Sequence, residues 1–145
     1  MCEVNPALLW PTMAMTGVIF GVWFVLMRQR LAHVARNTPT AADFADADAV
    51  GRYFRRVERP ARNLANLFEM PMLYFALVPL LLMTGKASGP QVALAWIFVA
   101  LRLMHSLVHI GPNRILVRFR LYLASCVALS GMWLGFVLDM VGAAT

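Results

Sequence analysis

Three stretches of the sequence carry arginine together with hydrogen-bonding side chains at helical spacing. The first holds Arg62, Asn66 and Glu69. The second holds Arg102, His105, Ser106 and His109, and the third Arg118, Tyr122 and Ser125. At about 100° per residue, positions three or four apart share one helix face, so each set draws a polar stripe along a helix. Taken singly, any of these residues is equally well explained as a buried contact that fixes helix register. The set is not. Arg62, Arg102 and Arg118 outnumber Glu69, and the surplus cations require an anion supplied from outside.

Other chemistries find less support. His105 and His109 stand four apart, a spacing that suits a metal, but no cysteine, histidine or carboxylate on the same stretch completes a site. No metal is therefore expected. No Ser-His-Asp arrangement, phosphate-cradling glycine loop or dinucleotide fingerprint occurs.

The elements that must position these stripes are membrane helices. The chain has 145 residues, enough for one domain. Its charged fraction is 14%, against about 25% in soluble domains, so it lacks the polarity to coat a water-facing surface. Apolar residues gather in four runs, expected as spans at about 6–27, 62–84, 90–110 and 118–141. Each matches the ~20 residues needed to cross ~30 Å of hydrocarbon. The runs do not alternate and exceed the ~10 residues of a barrel strand, so the expected class is an all-α integral membrane protein, a four-helix transmembrane bundle. The first run is read as a retained helix, since no basic region precedes it and no small-residue cleavage site follows it. Gly17 and Gly21, and again Gly131 and Gly135, give small-xxx-small spacings that allow close helix approach. In the loop at 28–61, Thr40 is placed to cap a short helix with Asp43 in its first turn. Residues 50–62 read as a helix leading directly into the second span. Pro71 and Pro79 are positioned to kink that span.

Net charge is +6, but the basic residues lie between apolar runs and not on a soluble face, so nucleic acid is not the expected partner. Cys2 and Cys126 make no disulfide framework, and Cys126 reads as a small packing residue. With four spans, every basic residue except Lys86 falls on the side of the first and third loops. The positive-inside rule places loops 28–61 and 111–117 in the cytoplasm and both termini on the opposite side.

These residues resemble the MAPEG family, the membrane-associated proteins in eicosanoid and glutathione metabolism. The second span reads Arg62-Asn63-Leu64-Ala65-Asn66-Leu67-Phe68-Glu69-Met70-Pro71, similar to that family's Arg, Asn, Glu, Pro pattern. The third-span run from Arg102 through His105 and Ser106 to His109 is similar to the Arg-x-x-His-Thr-x-x-Tyr of the microsomal prostaglandin E synthase branch. Arg114, Arg118 and Tyr122 follow in that branch's spacing, and Arg28 and Arg30 resemble the arginines that end its first helix. The departures are His109 in place of a tyrosine, Phe119 in place of a serine and Asn63 in place of an alanine. The likeness runs from the first span to the fourth, and a bacterial member is the expected source, with the inner membrane as its location.

The resemblance implies a homotrimer with glutathione held between subunits. It implies a glutathione-dependent enzyme of transferase, isomerase or peroxidase type acting on a lipophilic electrophile that arrives through the lipid bilayer. By the same carry-over, Arg118 acts on the thiolate, with Ser106 or Tyr122 as hydrogen-bond donor. Arg28, Arg62, Asn66, Glu69, Arg102, His105, His109 and Arg114 hold the tripeptide. The family also includes a non-catalytic lipid-binding scaffold, and the missing tyrosine suits that alternative. A solute transporter fits less well, since no internal repeat is present. The charge distribution carries one test of orientation. A cysteine placed within residues 40–48 is expected to be shielded from an impermeant thiol reagent in intact cells, while one at Ser88 reacts. The reverse labelling pattern would refute this topology.

Overall fold

Apolar runs of high helical propensity, interrupted at proline and glycine, give six α-helices in the computed structural model, which describes residues 6–143. Cys2 and the non-basic 1–5 segment lie outside the described residues. The helices are α1 (Leu9–Arg36), α2 (Ala47–Phe54), α3 (Arg59–Leu67), α4 (Met70–Met83), α5 (Gly89–Ile110) and α6 (Ile115–Gly142), with no strand among the described residues. Four stretches are long and apolar enough to cross a membrane: Pro6–Arg36, Arg59–Met83, Gly89–Ile110 and Ile115–Gly142. Large apolar side chains such as Phe20, Phe24, Leu134 and Leu138 face outward, as a bilayer permits and water does not. The protein is an all-helical, multi-pass integral membrane protein.

The second span is interrupted beside Pro71, one of the two prolines positioned to kink it. It is two helices, α3 and α4, separated at Phe68 and Glu69. Proline explains the break. Pro71 has no N–H to offer the carbonyl of Leu67, and its ring would collide with that carbonyl in a continuous helix. The chain tightens instead, with Phe68 N–H on the Ala65 carbonyl at 2.9 Å, and restarts with Met72 N–H on the Glu69 carbonyl at 3.2 Å. Pro79, by contrast, lies inside α4 without ending it. The lead-in is also not one helix. A single 3-10 turn, Arg55–Val57, and Glu58 separate α2 from α3.

The loop before α2 is locally held. Thr40 donates from its backbone N–H at 2.8 Å and from its hydroxyl at 2.7 Å to the Asp43 carboxylate. These bonds, the backbone one foremost, hold the Asp43 carboxyl below the usual carboxylate range. Asp46 caps α2 through the Ala49 N–H at 2.7 Å. The rings of His33, Phe44, Tyr53 and Phe54 then pack together, edge to face or tilted, and seat α2 against the end of α1.

The core is shared by all four spans, with Met15 and Val22 from α1, Leu77 and Leu81 from α4, Phe98 and Val99 from α5, and Leu129 and Met132 from α6. The Thr12 and Tyr74 hydroxyls are 3.0 Å apart, and Tyr74 stacks on Phe98 with ring centroids 5.0 Å apart. The closest helix partnership is α5 with α6. There the buried Gln91 donates through Nε2 to the Met132 carbonyl at 3.0 Å. Gly135 makes room for it, since a Cβ at that position would stand 2.9 Å from Gln91 Nε2. The two small-residue pairs thus part company. Gly135 admits a neighbouring helix, whereas a Cβ at Gly17 or Gly21 would meet nothing within 4 Å. Gly135→Ala is expected to break the Gln91–Met132 bond and lower the melting temperature in detergent, at a cost of about 1 kcal/mol. In a Gln91→Ala background the same change should cost almost nothing. Equal losses in both backgrounds would remove this account.

Candidate anion-binding site

One face of α5 carries Arg102, His105, Ser106 and His109 inward. All four are buried, and Arg102 is fully so. Its length and flexibility let the guanidinium reach α3, where NH2 donates to the Asn66 carbonyl. That carbonyl belongs to the last turn of α3, where the helix leaves its carbonyls without intrahelical donors, so the break before Pro71 supplies the acceptor. The guanidinium also lies over the Tyr122 ring, 5.4 Å from its centroid. Its remaining nitrogens, Nε and NH1, have no hydrogen-bond partner among the described residues. A buried cation in this condition is costly until an anion or a further acceptor meets it.

His105 adds an acceptor to the same cluster. Its Nδ1 lies 3.0 Å from the Arg118 carbonyl. A carbonyl can only accept, so Nδ1 carries the hydrogen and the Nε2 of the neutral ring is a bare lone pair. Nε2 is buried and has no partner. His109 packs its ring against that of His105 at 5.6 Å, and its own Nδ1 is also buried without a partner. The Ser106 hydroxyl donates to Asn63 Oδ1 at 3.4 Å, leaving Asn63 Nδ2 free. The cluster therefore holds unmet donors on Arg102 and Asn63 beside an unmet acceptor on His105. A ligand that satisfies both carries an anionic group and a hydrogen-bond donor.

Arg118 is set by the turn between α5 and α6. After Gly111 and Pro112, Asn113 adopts the left-handed region at φ 50°, which asparagine tolerates better than most residues. Its backbone N–H closes on the Val108 carbonyl at 2.7 Å. Its side-chain oxygen accepts from Arg118 NH1 at 2.9 Å. Tyr122 follows one turn later, half-buried, with its ring 5.9 Å from that of His105.

The remaining sequence-derived candidates are more exposed. Arg62 and Glu69 are exposed, as are Arg28 and Arg114. Asn66 is half-buried and turns its side-chain amide back to the Arg62 carbonyl at 3.1 Å. The Glu69 carboxylate makes no cap contact at the start of α4. α3 turns Pro60, Asn63 and Leu67 inward, while Arg62 and Glu69 stand exposed at the edge of the cluster, Glu69 near enough to act electrostatically on Arg102 and Tyr122 and Arg62 on His109. Asn63, noted in the sequence only as a departure, and Asn113, in the turn between α5 and α6, both contact the candidate residues. The i, i+3, i+7 spacing of Pro60, Asn63 and Leu67 is the signal that places Asn63 in the site.

A family model described as MAPEG family matches residues 8–138. No curated protein and no solved structure matches the chain.

The condition of Arg102 has a measurable consequence. Arg102→Met keeps an unbranched chain of similar length and removes an incompletely paired cation. In ligand-free protein it is expected to leave the melting temperature unchanged or raise it. Anion-dependent stabilisation should disappear. A destabilisation of about 3 kcal/mol or more, the cost of breaking a fully paired buried ion, would show that the guanidinium already has its partners.

Proposed function

The chain belongs to the MAPEG family, and we propose that it is a glutathione-dependent membrane enzyme that acts on a lipophilic electrophile. The observation that carries this reading is the fully buried Arg102 with two guanidinium nitrogens unmatched. Glutathione offers what the cluster lacks: two carboxylates for the donors, and an ammonium and a thiol for the His105 acceptor. When bound, it supplies the sulfur nucleophile.

The residues divide the work as follows. Arg102 and Asn63 hold a carboxylate. His105 Nε2, with its tautomer fixed by the Arg118 carbonyl, accepts a hydrogen from the ligand. Arg118 acts on the thiol. A free thiol has a pKa of ~8.5, so little is ionised at neutral pH. A guanidinium that lowers it by about two units contributes ~2.7 kcal/mol of differential stabilisation. Asn113 aims Arg118, and Tyr122 on α6 or Ser106 on α5 is the hydroxyl donor. Arg28, Arg62, Asn66, Glu69 and Arg114 act from the outward face, with Arg62 and Glu69 completing the site of a neighbouring copy in a homotrimer. That assembly gives Glu69 protein cover, which a carboxylate within a span requires. The arginine-rich end of the bundle faces the cytoplasm. Transferase, isomerase and peroxidase outcomes share this thiolate step.

A second reading, a non-catalytic lipid-binding scaffold, is favoured by His109 in the place of the family's tyrosine. Thiolate absorbance separates the two. Glutathione added to detergent-purified protein near neutral pH should produce it in an enzyme and not in a scaffold. Within the enzymatic reading, Arg118→Ala is expected to lower turnover on hydrophobic electrophiles by about one to two orders of magnitude, the kinetic equivalent of ~1.4–2.7 kcal/mol. Glutathione affinity should change less, because Arg102 remains. Turnover within twofold of wild type in assembled protein would remove Arg118 from the mechanism.

A further inference from the structure

Gly17 and Gly21 leave open space where the sequence suggested a helix contact, and that space forms a groove. It lies between α1 and α5, has a volume of about 420 Å³, and is lined by Ala14, Gly17, Val18, Gly21 and Val25 on one side and Leu107 on the other. Apart from Ser106 its lining is apolar. A second cleft of about 410 Å³ lies at the arginine-rich end of α1 and is lined by Gln29, His33, Arg36, Asn37 and Arg56. Every polar side chain in it can donate a hydrogen bond, two carry permanent positive charge, and no carboxylate takes part. This is not a general property of the loop. The neighbouring cleft around Arg52 and Arg55 includes Asp48 and Glu58.

The two cavities follow one another along α1. Val18, Val25, Gln29 and Arg36 are spaced by seven, four and seven residues, which keeps them on one helix face. Their depths match a single leaflet. α1 has 28 residues and is therefore ~42 Å long, against ~40–45 Å for a bilayer with its headgroups. The apolar part of the first span ends at Met27, so residues 28–36 cover roughly 13 Å at headgroup level. The groove from Val25 back to Ala14 covers about 16 Å, one leaflet's depth of hydrocarbon.

We propose that this seam is a binding site for one anionic phospholipid, its acyl chain in the α1–α5 groove and its phosphate in the donor cleft between Arg36 and Arg56. The glycines serve as the bed of the acyl chain, because a side chain at either position would project into the groove. The cleft prefers an anionic headgroup to a zwitterionic one because it offers no carboxylate for a choline ammonium. The seam uses none of the residues assigned to glutathione except Ser106 at its wall, so it stands independently of the enzymatic reading.

Native mass spectrometry of the purified full chain, titrated with phosphatidylglycerol or phosphatidylcholine in detergent, tests the proposal. Wild type should bind phosphatidylglycerol roughly 25-fold more tightly, about fivefold for each of two cations beside an anionic headgroup. Arg36→Gln/Arg56→Gln should reduce that preference by about fivefold per arginine, the effect of one cation beside an anionic surface. Both residues are exposed, so folding should survive, and the paired control Arg52→Gln/Arg55→Gln should keep the preference. Gly21→Leu, whose Cβ meets no neighbour, should fill the groove and weaken both lipids several-fold. Equal binding of the two lipids by wild type, preference kept in the Arg36/Arg56 variant, an equal loss in the control, or unchanged binding in Gly21→Leu would each overturn it. Displacement of phosphatidylglycerol by millimolar inorganic phosphate would show a free-anion site and overturn the lipid assignment.

Discussion

A guanidinium inside a membrane bundle, with only part of its hydrogen-bonding capacity met, sets conditions that much of this structure answers. Arg102 stands fully buried on α5, and no element packed around it brings a carboxylate into a hydrogen bond with it. The first answer comes from proline chemistry one helix away. Pro71 cannot continue the helix, so α3 ends at Leu67 and frees the Asn66 carbonyl that takes one Arg102 nitrogen. The Tyr122 ring adds its negative face from α6. A carbonyl and an aromatic ring are dipole and quadrupole, not countercharge, and they leave Nε and NH1 unmatched. The same low polarity that makes this costly makes the group a strong attractor for an anion.

The other side of the cluster depends on a single turn. Asn113 in the left-handed region brings α6 back beside α5 and offers its side-chain oxygen to Arg118. The Arg118 carbonyl, in the first turn of α6, has a second lone pair to spare beyond its helical bond, and His105 Nδ1–H takes it. One residue thus positions a cation through its side chain and fixes a histidine tautomer through its backbone. A substitution at Arg118 that leaves the backbone in place removes the first role and keeps the second, which makes the effect of its side chain separable.

Much of this was legible in the sequence, because hydrophobic runs of membrane length and polar residues at helical spacing are signals of period and composition. The stripe on α5 is inward, and the runs are helices long enough to span. The stripe on the second span is interrupted for a physical reason. Arg62 and Asn66 lie together on α3, and the break that Pro71 imposes at Phe68 and Glu69 takes Glu69 out of that helix. Which face of α3 turns inward was then decided by packing against α1 and α5, which favoured Pro60, Asn63 and Leu67. The glycine pairs show the same limit. Identical spacing at Gly17–Gly21 and Gly131–Gly135 cannot say which pair meets a neighbour, since that depends on what lies opposite, and only Gly135 faces a buried polar side chain.

The outward charges are not equivalent. Arg62 lies near the start of the second span, Arg59–Met83, where a long side chain snorkels to the headgroups and needs no protein cover. Glu69 lies ten residues beyond Arg59, roughly 15 Å into the bilayer by helical rise, and its short carboxylate has no such reach. A charged group facing lipid at that depth costs at least ~2.5 kcal/mol. Arg28 and Arg114, close to span ends, have the same reach as Arg62. Among the exposed site residues, then, the one that demands a partner is Glu69. The break that exposes it is also the one that gives Arg102 its carbonyl, so the same proline that half-satisfies the buried cation leaves a carboxylate exposed at the edge of its cluster. In the assembly proposed above, the surface another copy must cover is centred on Glu69 and not on the arginines around it.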